Sequence, residues 1–298
     1  MANGFVARLP YYVNQHAPSL RGLYGYTTKI VDSGGIFYES LSPENMAGVV
    51  IISPGFRPNP KGKAAPEFMY GLAKLGIGSV LVQFGLENSF YGMLDGLQQV
   101  VNDVSTNTSV PLGLKGISVC SALVLMLASK DVRISALELD SMFANVETAQ
   151  QRLKNVLESD QNPFPYGIDK CHPCHDYFFG DKIPNLEEAV RAVKQRDIPV
   201  LVQNGSKDVL VREAELRSLL GPFSLNGSHD QNGKSSEDTF TDYEIGNLRL
   251  RIYREGIHFI HFGDTYNPVL EKSVDFFNAV FRTPHPALPV SSELSSPQ

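Results

Sequence analysis

Short runs of consecutive apolar residues alternate along the chain with stretches in which apolar side chains return every three or four positions. The first pattern is that of a strand covered on both faces, the second that of an amphipathic helix. Their alternation predicts an α/β architecture with a mostly parallel sheet. Tyr24–Val31 and Gly35–Tyr38 read as an antiparallel pair turned at Ser33-Gly34-Gly35. Gly48–Ser53 (GVVIIS) is a β-branched central strand, followed by the turn-rich loop Pro54-Gly55-Phe56-Arg57-Pro58. Helix Ala65–Leu75, strand Gly78–Phe84, helix Met93–Val104, strand Leu112–Ile117, helix Val119–Ser129 and strand Ile134–Leu139 continue the series.

The alternation then stops. Residues 141–185 carry charges, prolines and aromatics without a strand pattern, and read as a cap of helices and loops inserted after the sixth strand. It resumes with helix Asn185–Arg196, strand Ile198–Gln203 and helix Val211–Leu220. The polar stretch 224–238 reads as a mobile loop, Asn247–Tyr253 as the last strand and Pro268–Phe281 as the last helix. The tail 283–298, rich in Pro and Ser, reads as disordered. A chain of 298 residues allows two domains, but α/β folds often reach this length as one, and a single domain over 1–282 is the expectation.

Composition narrows the function. The net charge of −6 lacks the electrostatic footprint of a nucleic-acid binder. Apolar residues at 42% support a large core, yet no run is long enough for a membrane span and no signal-peptide h-region is evident. Three cysteines are too few for a disulfide framework, so a reducing, cytoplasmic setting is expected. Neither of the Gly-rich phosphate-binding motifs occurs, and no cofactor or metal is called for.

The chemistry concentrates at Gly116-Ile117-Ser118-Val119-Cys120, where a buried strand runs into a helix with almost no loop. A serine on such a sharp turn has its hydroxyl thrust out at the carboxyl end of the sheet, and the residues two before and two after it must be small. Here they are Gly116 and Cys120, so the G-x-S-x-G pattern is broken at its last position. Ser118 has two readings: nucleophile, or N-cap of the helix that starts at Val119. Asp208 lies past the strand Ile198–Gln203, and it too reads as a triad acid or as the N-cap of Val211–Leu220. His258 follows the last strand, with Gly256 allowing a tight turn and His261 as competitor for the role of base. The order serine, acid, histidine is that of the α/β-hydrolases. The expected fold is therefore an α/β-hydrolase fold: a mostly parallel central sheet, helices on both faces and an inserted cap. In that fold the N–H groups of Phe56 and Val119 form the oxyanion hole.

The order of segments resembles the serine acyl-transferase/thioesterases of bacterial bioluminescence over roughly residues 45–280. The matching features are SPGF at Ser53–Phe56, a G-L-x-x-x-S elbow from Gly113-Leu114 to Ser118, a Cys/His segment before a helix, Asp208 and a late histidine. The first 20 residues and 224–247 have no counterpart. The resemblance implies a long-chain acyl-thioester substrate and an acyl carrier protein as partner. Lys61 and Lys63, beside the oxyanion loop, are candidates to meet that carrier or its phosphopantetheine, or are solvated surface charges. Cys171-His172-Pro173-Cys174-His175 has three readings: a metal or redox site, a lining of the cap, or surface packing. The same fold also serves carboxylesterases, lactone hydrolases and C–C hydrolases, and non-catalytic binding proteins.

Overall fold

The computed structural model describes residues 27–31, 36–54, 64–84, 89–157, 186–223, 240–256 and 266–283. Within them the strands are β1 (Thr27–Val31), β2 (Ile36–Leu41), β3 (Gly48–Ser53), β4 (Ile77–Gln83), β5 (Leu112–Ile117), β6 (Ile134–Asp140), β7 (Val200–Gly205), β8 (Phe240–Ile245) and β9 (Leu248–Tyr253). They form one sheet in the order β1-β2-β4-β3-β5-β6-β7-β9-β8. The inner pairings from β4 through β9 are parallel, and the antiparallel ones are β1–β2, β2–β4 and β8–β9.

The helices are α1 (Ala64–Lys74), α2 (Phe90–Asn107), α3 (Val119–Lys130), α4 (Val146–Leu157), α5 (Leu186–Gln195), α6 (Glu213–Leu219) and α7 (Tyr266–Arg282). The continuous apolar run of β3 is explained by its two covers. Val49 and Ile51 join the core built with α2, α3 and α5, whereas Val50 and Ile52 join the one built with α1 and α7. Helix α3 is apolar on every side because every residue from Val119 to Ala128 is buried, under the sheet and between α2 and α5. On the opposite face α7 lays Phe277 and Phe281 across Gly113, where a Cβ would stand 2.6 Å from the Phe277 ring. Only glycine permits that approach, and burial of such a ring contributes roughly 1.5–3 kcal/mol.

Three expectations change. The sheet carries an edge strand, β8, that the sequence pattern did not reveal; its residues are half-exposed, so the period-two contrast is weak. Strand β7 continues through Asn204 and Gly205, which pair with Ile252 and Tyr253 of β9 instead of opening the loop. Helix α6 starts at Glu213 rather than Val211. The expected loop 224–238, the tail beyond Thr283 and most of the expected cap (158–185) lie outside the described residues. No helix among the described residues is long and apolar enough to cross a membrane.

Candidate active site

The parallel register levels the carboxyl ends of the central strands. Ser53 stands beside Gly116, Ile117 beside Asp140, Asp140 beside Gln203 and Gln203 beside Arg251. Ser118 is the next residue after β5. Its backbone has φ 58° and ψ −127°, and it is half-buried. A non-glycine residue in this region carries about 1–3 kcal/mol of strain and persists only where its surroundings over-determine it. The surroundings are explicit. The Ser118 N–H donates to the Asp140 carbonyl at 2.7 Å, and the Ser121 N–H donates to the Ser118 carbonyl at 2.9 Å. The Ser121 hydroxyl lies 2.8 Å from the Gly116 carbonyl and 3.0 Å from that of Asp140. Ser118 occupies the N-cap position of α3, but its side chain makes no capping hydrogen bond to the helix.

The small residues flanking the turn are both accounted for. A Cβ on Gly116 would stand 2.5 Å from Val124 Cγ2 and 2.6 Å from the Cys120 carbonyl, distances no side chain tolerates. Cys120, where the usual motif has glycine, is buried, and its Sγ lies 3.4 Å from the Pro54 carbonyl at the root of the expected oxyanion loop. Burial pushes its thiol up to about 12, with the Ser53 hydroxyl pulling the other way. Cys120 is thus a packed, unionised side chain. Val119 is the first residue of α3, where a helix leaves its N–H groups without intrahelical acceptors.

Asp208 follows β7 and is buried. Its Oδ1 accepts from the N–H groups of Leu210 at 2.8 Å and Val211 at 2.9 Å. Helix α6 instead has Arg212 as its N-cap, so Asp208 caps a turn ahead of the helix and not the helix itself. The loops after β7 and β9 are stitched together. Ser206 N–H donates to Tyr253 O at 2.8 Å and Lys207 N–H to Gly256 O at 2.9 Å, while Lys207 pairs with Glu255. From the other side, Arg152 of α4 reaches the Leu210 carbonyl at 3.2 Å and forms a forked pair with Glu215.

A group that sequence reasoning missed lies just beneath the turn, on the α7 face of the sheet. Lys115 of β5 pairs with Glu138 and Asp140 of β6, all three buried. Gln203 Nε2 lies 2.8 Å from Glu138, Ser273 of α7 donates to the same carboxylate, and the Tyr253 hydroxyl donates to Gln203 Oε1 at 2.6 Å. Burial raises the Glu138 carboxyl to about 7; Lys115 opposes that shift and Asp140 adds to it. Glu138 Oε2 has no hydrogen-bond partner among the described residues.

Phe56, His258, His261, Lys61, Lys63 and the Cys171–His175 segment lie outside the described residues. Among the described residues no group of three or more His, Cys, Asp or Glu is placed to hold a metal ion.

Solved structures share this architecture. An esterase of Pyrococcus furiosus, Pf2001, superposes with a TM-score of 0.64 over 89% of this chain and 94% of its own, at 14% identity. Est1E from Butyrivibrio proteoclasticus gives 0.57 over 85% and 97%, at 15% identity. A cold-adapted esterase from an Arctic intertidal metagenomic library gives 0.53 over 86% and 93%, at 13% identity. The fold is that of the α/β-hydrolases. At these identities the likeness carries the fold alone. No family model and no curated protein sequence matches the chain.

Proposed function

We propose that the chain is a serine hydrolase that cleaves an acyl ester or thioester through an acyl-enzyme. The observation that carries this reading is the backbone of Ser118: a strained serine at the level carboxyl end of the sheet, on the sharp turn from β5 into α3. In the mechanism, His258 takes the proton of Ser118 as its Oγ attacks the acyl carbonyl. The N–H groups of Phe56 and Val119 hold the oxyanion, and Asp208 orients the imidazole and stabilises its cation. His258 then protonates the leaving group and activates the water or alcohol that resolves the acyl-enzyme. A thiolate leaves readily, so a thioester demands less of this acid. The segment 141–185 covers the acyl chain and excludes water.

Two of the similar structures, Pf2001 and the Arctic cold-adapted enzyme, are named as esterases, which supports ester cleavage on this fold. The missing glycine at position 120 would favour a non-catalytic binding protein on this fold, but Cys120 is buried and packs in the turn against the Pro54 carbonyl. The substrate class we propose is a carrier-bound fatty acyl or polyketide chain; the resemblance to the bioluminescence acyl-transferases supports the acyl thioester.

The test is hydrolysis of p-nitrophenyl esters and acyl thioesters of several chain lengths by the wild type and by Ser118→Ala. The reading expects turnover to fall by about 10³-fold or more in the variant; a variant that keeps wild-type turnover overturns it. Charge reversal at Lys61 and Lys63 tests the carrier. Loss of turnover confined to the carrier-bound substrate supports docking there, and unchanged turnover ends that part of the proposal.

A further inference from the structure

Ser118 needs an outside constraint to hold its conformation, and the constraint runs through Asp140. The backbone carbonyl of Asp140 receives the Ser118 N–H at 2.7 Å and lies 3.0 Å from the Ser121 hydroxyl. The carboxylate of the same residue pairs with Lys115, three residues before Ser118 on the neighbouring strand. These bonds close a ring. It runs along the chain from Lys115 to Ser118, across to the Asp140 carbonyl, and back through the Asp140 side chain to the Lys115 ammonium. Gln203 Nε2, 3.4 Å from Asp140 Oδ1, ties the ring to β7.

The ring is made of groups that are expensive to bury. Lys115 and Asp140 are 2% and 0% exposed, and a well-packed apolar pair of similar volume is often as stable as a buried ion pair or more so. Stability alone therefore does not account for charges here. An apolar pair would fill the same space, but it would not fix the azimuth of the Asp140 peptide. An ammonium shared by two carboxylates on one strand, with Ser273 at 3.1 Å, allows one arrangement.

We infer that the Lys115–Asp140 ion pair is a positioning device for the nucleophile: it holds the Asp140 carbonyl where Ser118 must adopt its strained backbone and present Oγ. The inference rests on the proposed role of Ser118. Neither residue touches substrate; both act through the peptide of Asp140.

The test uses the full chain and a fluorophosphonate probe, which reports two quantities at once. The amplitude of labelling counts folded, competent sites, and the rate constant describes how well each site presents its hydroxyl. Two variants are made. Asp140→Asn keeps the backbone carbonyl and loses the charge. Lys115→Met/Glu138→Gln/Asp140→Asn removes the ammonium and both carboxylates it pairs with, so that no unpaired charge is left buried should the single variant fail to fold. Val190→Ala in α5, a buried position away from the ring, is the stability control. Positioning predicts that the ion-pair variants label to full amplitude at a rate about 10- to 100-fold lower per site, while the control labels at the wild-type rate. A structural role alone lowers the melting temperature or the amplitude and leaves the per-site rate at the wild-type value, and that result overturns the inference while the hydrolase reading stands. A wild type that does not label overturns the hydrolase reading, and the inference with it.

Discussion

The amide of Lys207 donates to the carbonyl of Gly256 at 2.9 Å, joining the residue before Asp208 to the loop that leaves β9 two residues before His258. Strands β7 and β9 pair in parallel up to Gly205 and Tyr253, so both loops depart from one end of the sheet. Asp208 and the described start of the segment that leads on to His258 thus leave the sheet side by side. His258→Ala should lower ester turnover by about 10³-fold or more, whereas His261→Ala should stay within a few-fold of wild type. Steady-state kinetics on the two variants decides the matter, and the reverse pattern would move the base to His261.

Gly116 and Cys120 make opposite predictions although both flank the serine. Gly116→Ala drives a methyl into Val124 and the Cys120 carbonyl, so it should cost about 1–3 kcal/mol or more in urea denaturation and abolish turnover. Cys120→Gly restores the common motif and removes a buried thiol with its contacts to Pro54 and Ser53. It should cost about 1 kcal/mol and keep turnover within a few-fold of wild type. Loss of activity in Cys120→Gly, with the fold retained, would show that the thiol does more than fill space.

The buried charges are coupled in a way that mutants can separate. Lys115→Met leaves two buried carboxylates without a cation, and should destabilise the chain by about 3–5 kcal/mol. Adding Asp140→Asn should restore a large part of that loss. Chemical denaturation of the single and double variants checks the order. A double variant less stable than Lys115→Met would contradict it.

Glu138 adds a pH dependence. Its carboxyl holds its proton up to about 7 in the folded chain, against an ordinary value of 4.5. Between those values the folded state binds more protons than the unfolded one, so this contribution to stability is fully present below 4.5 and is lost as the pH rises through 7. Melting temperatures measured from pH 5 to 8 should therefore fall on this account, and the slope should flatten in Glu138→Gln. An equal slope in the variant would assign the dependence to another group.

Most of the scaffold was legible because a parallel sheet writes itself in apolar runs. Gly48–Ser53 and Leu112–Ile117 have the bounds that the pattern predicts, and the elbow at Ser118 follows from a strand and a helix that share no loop. Two things stayed hidden, for different reasons. Strand β8 is an edge strand whose side chains are all partly exposed, so polar and apolar positions do not separate. The Lys115 cluster leaves no trace in hydropathy, because a charged side chain is ordinarily exposed and these are buried. A signal existed, however: LGLKGI and ISALELD carry opposite charges inside otherwise apolar strands, and Lys115 and Glu138 sit in register. Register is a property of the folded sheet, which is why the strands had to be paired before the charges made sense.

The central claim is that Ser118 is a nucleophile, and covalent capture tests it most directly. Wild-type protein is treated with a fluorophosphonate, digested, and its peptides mapped by mass spectrometry. The account predicts one phosphonyl adduct, on Ser118, absent from Ser118→Ala and slowed by about 10³-fold in His258→Ala. An adduct on another residue, or folded wild-type protein that takes up no probe, would contradict it.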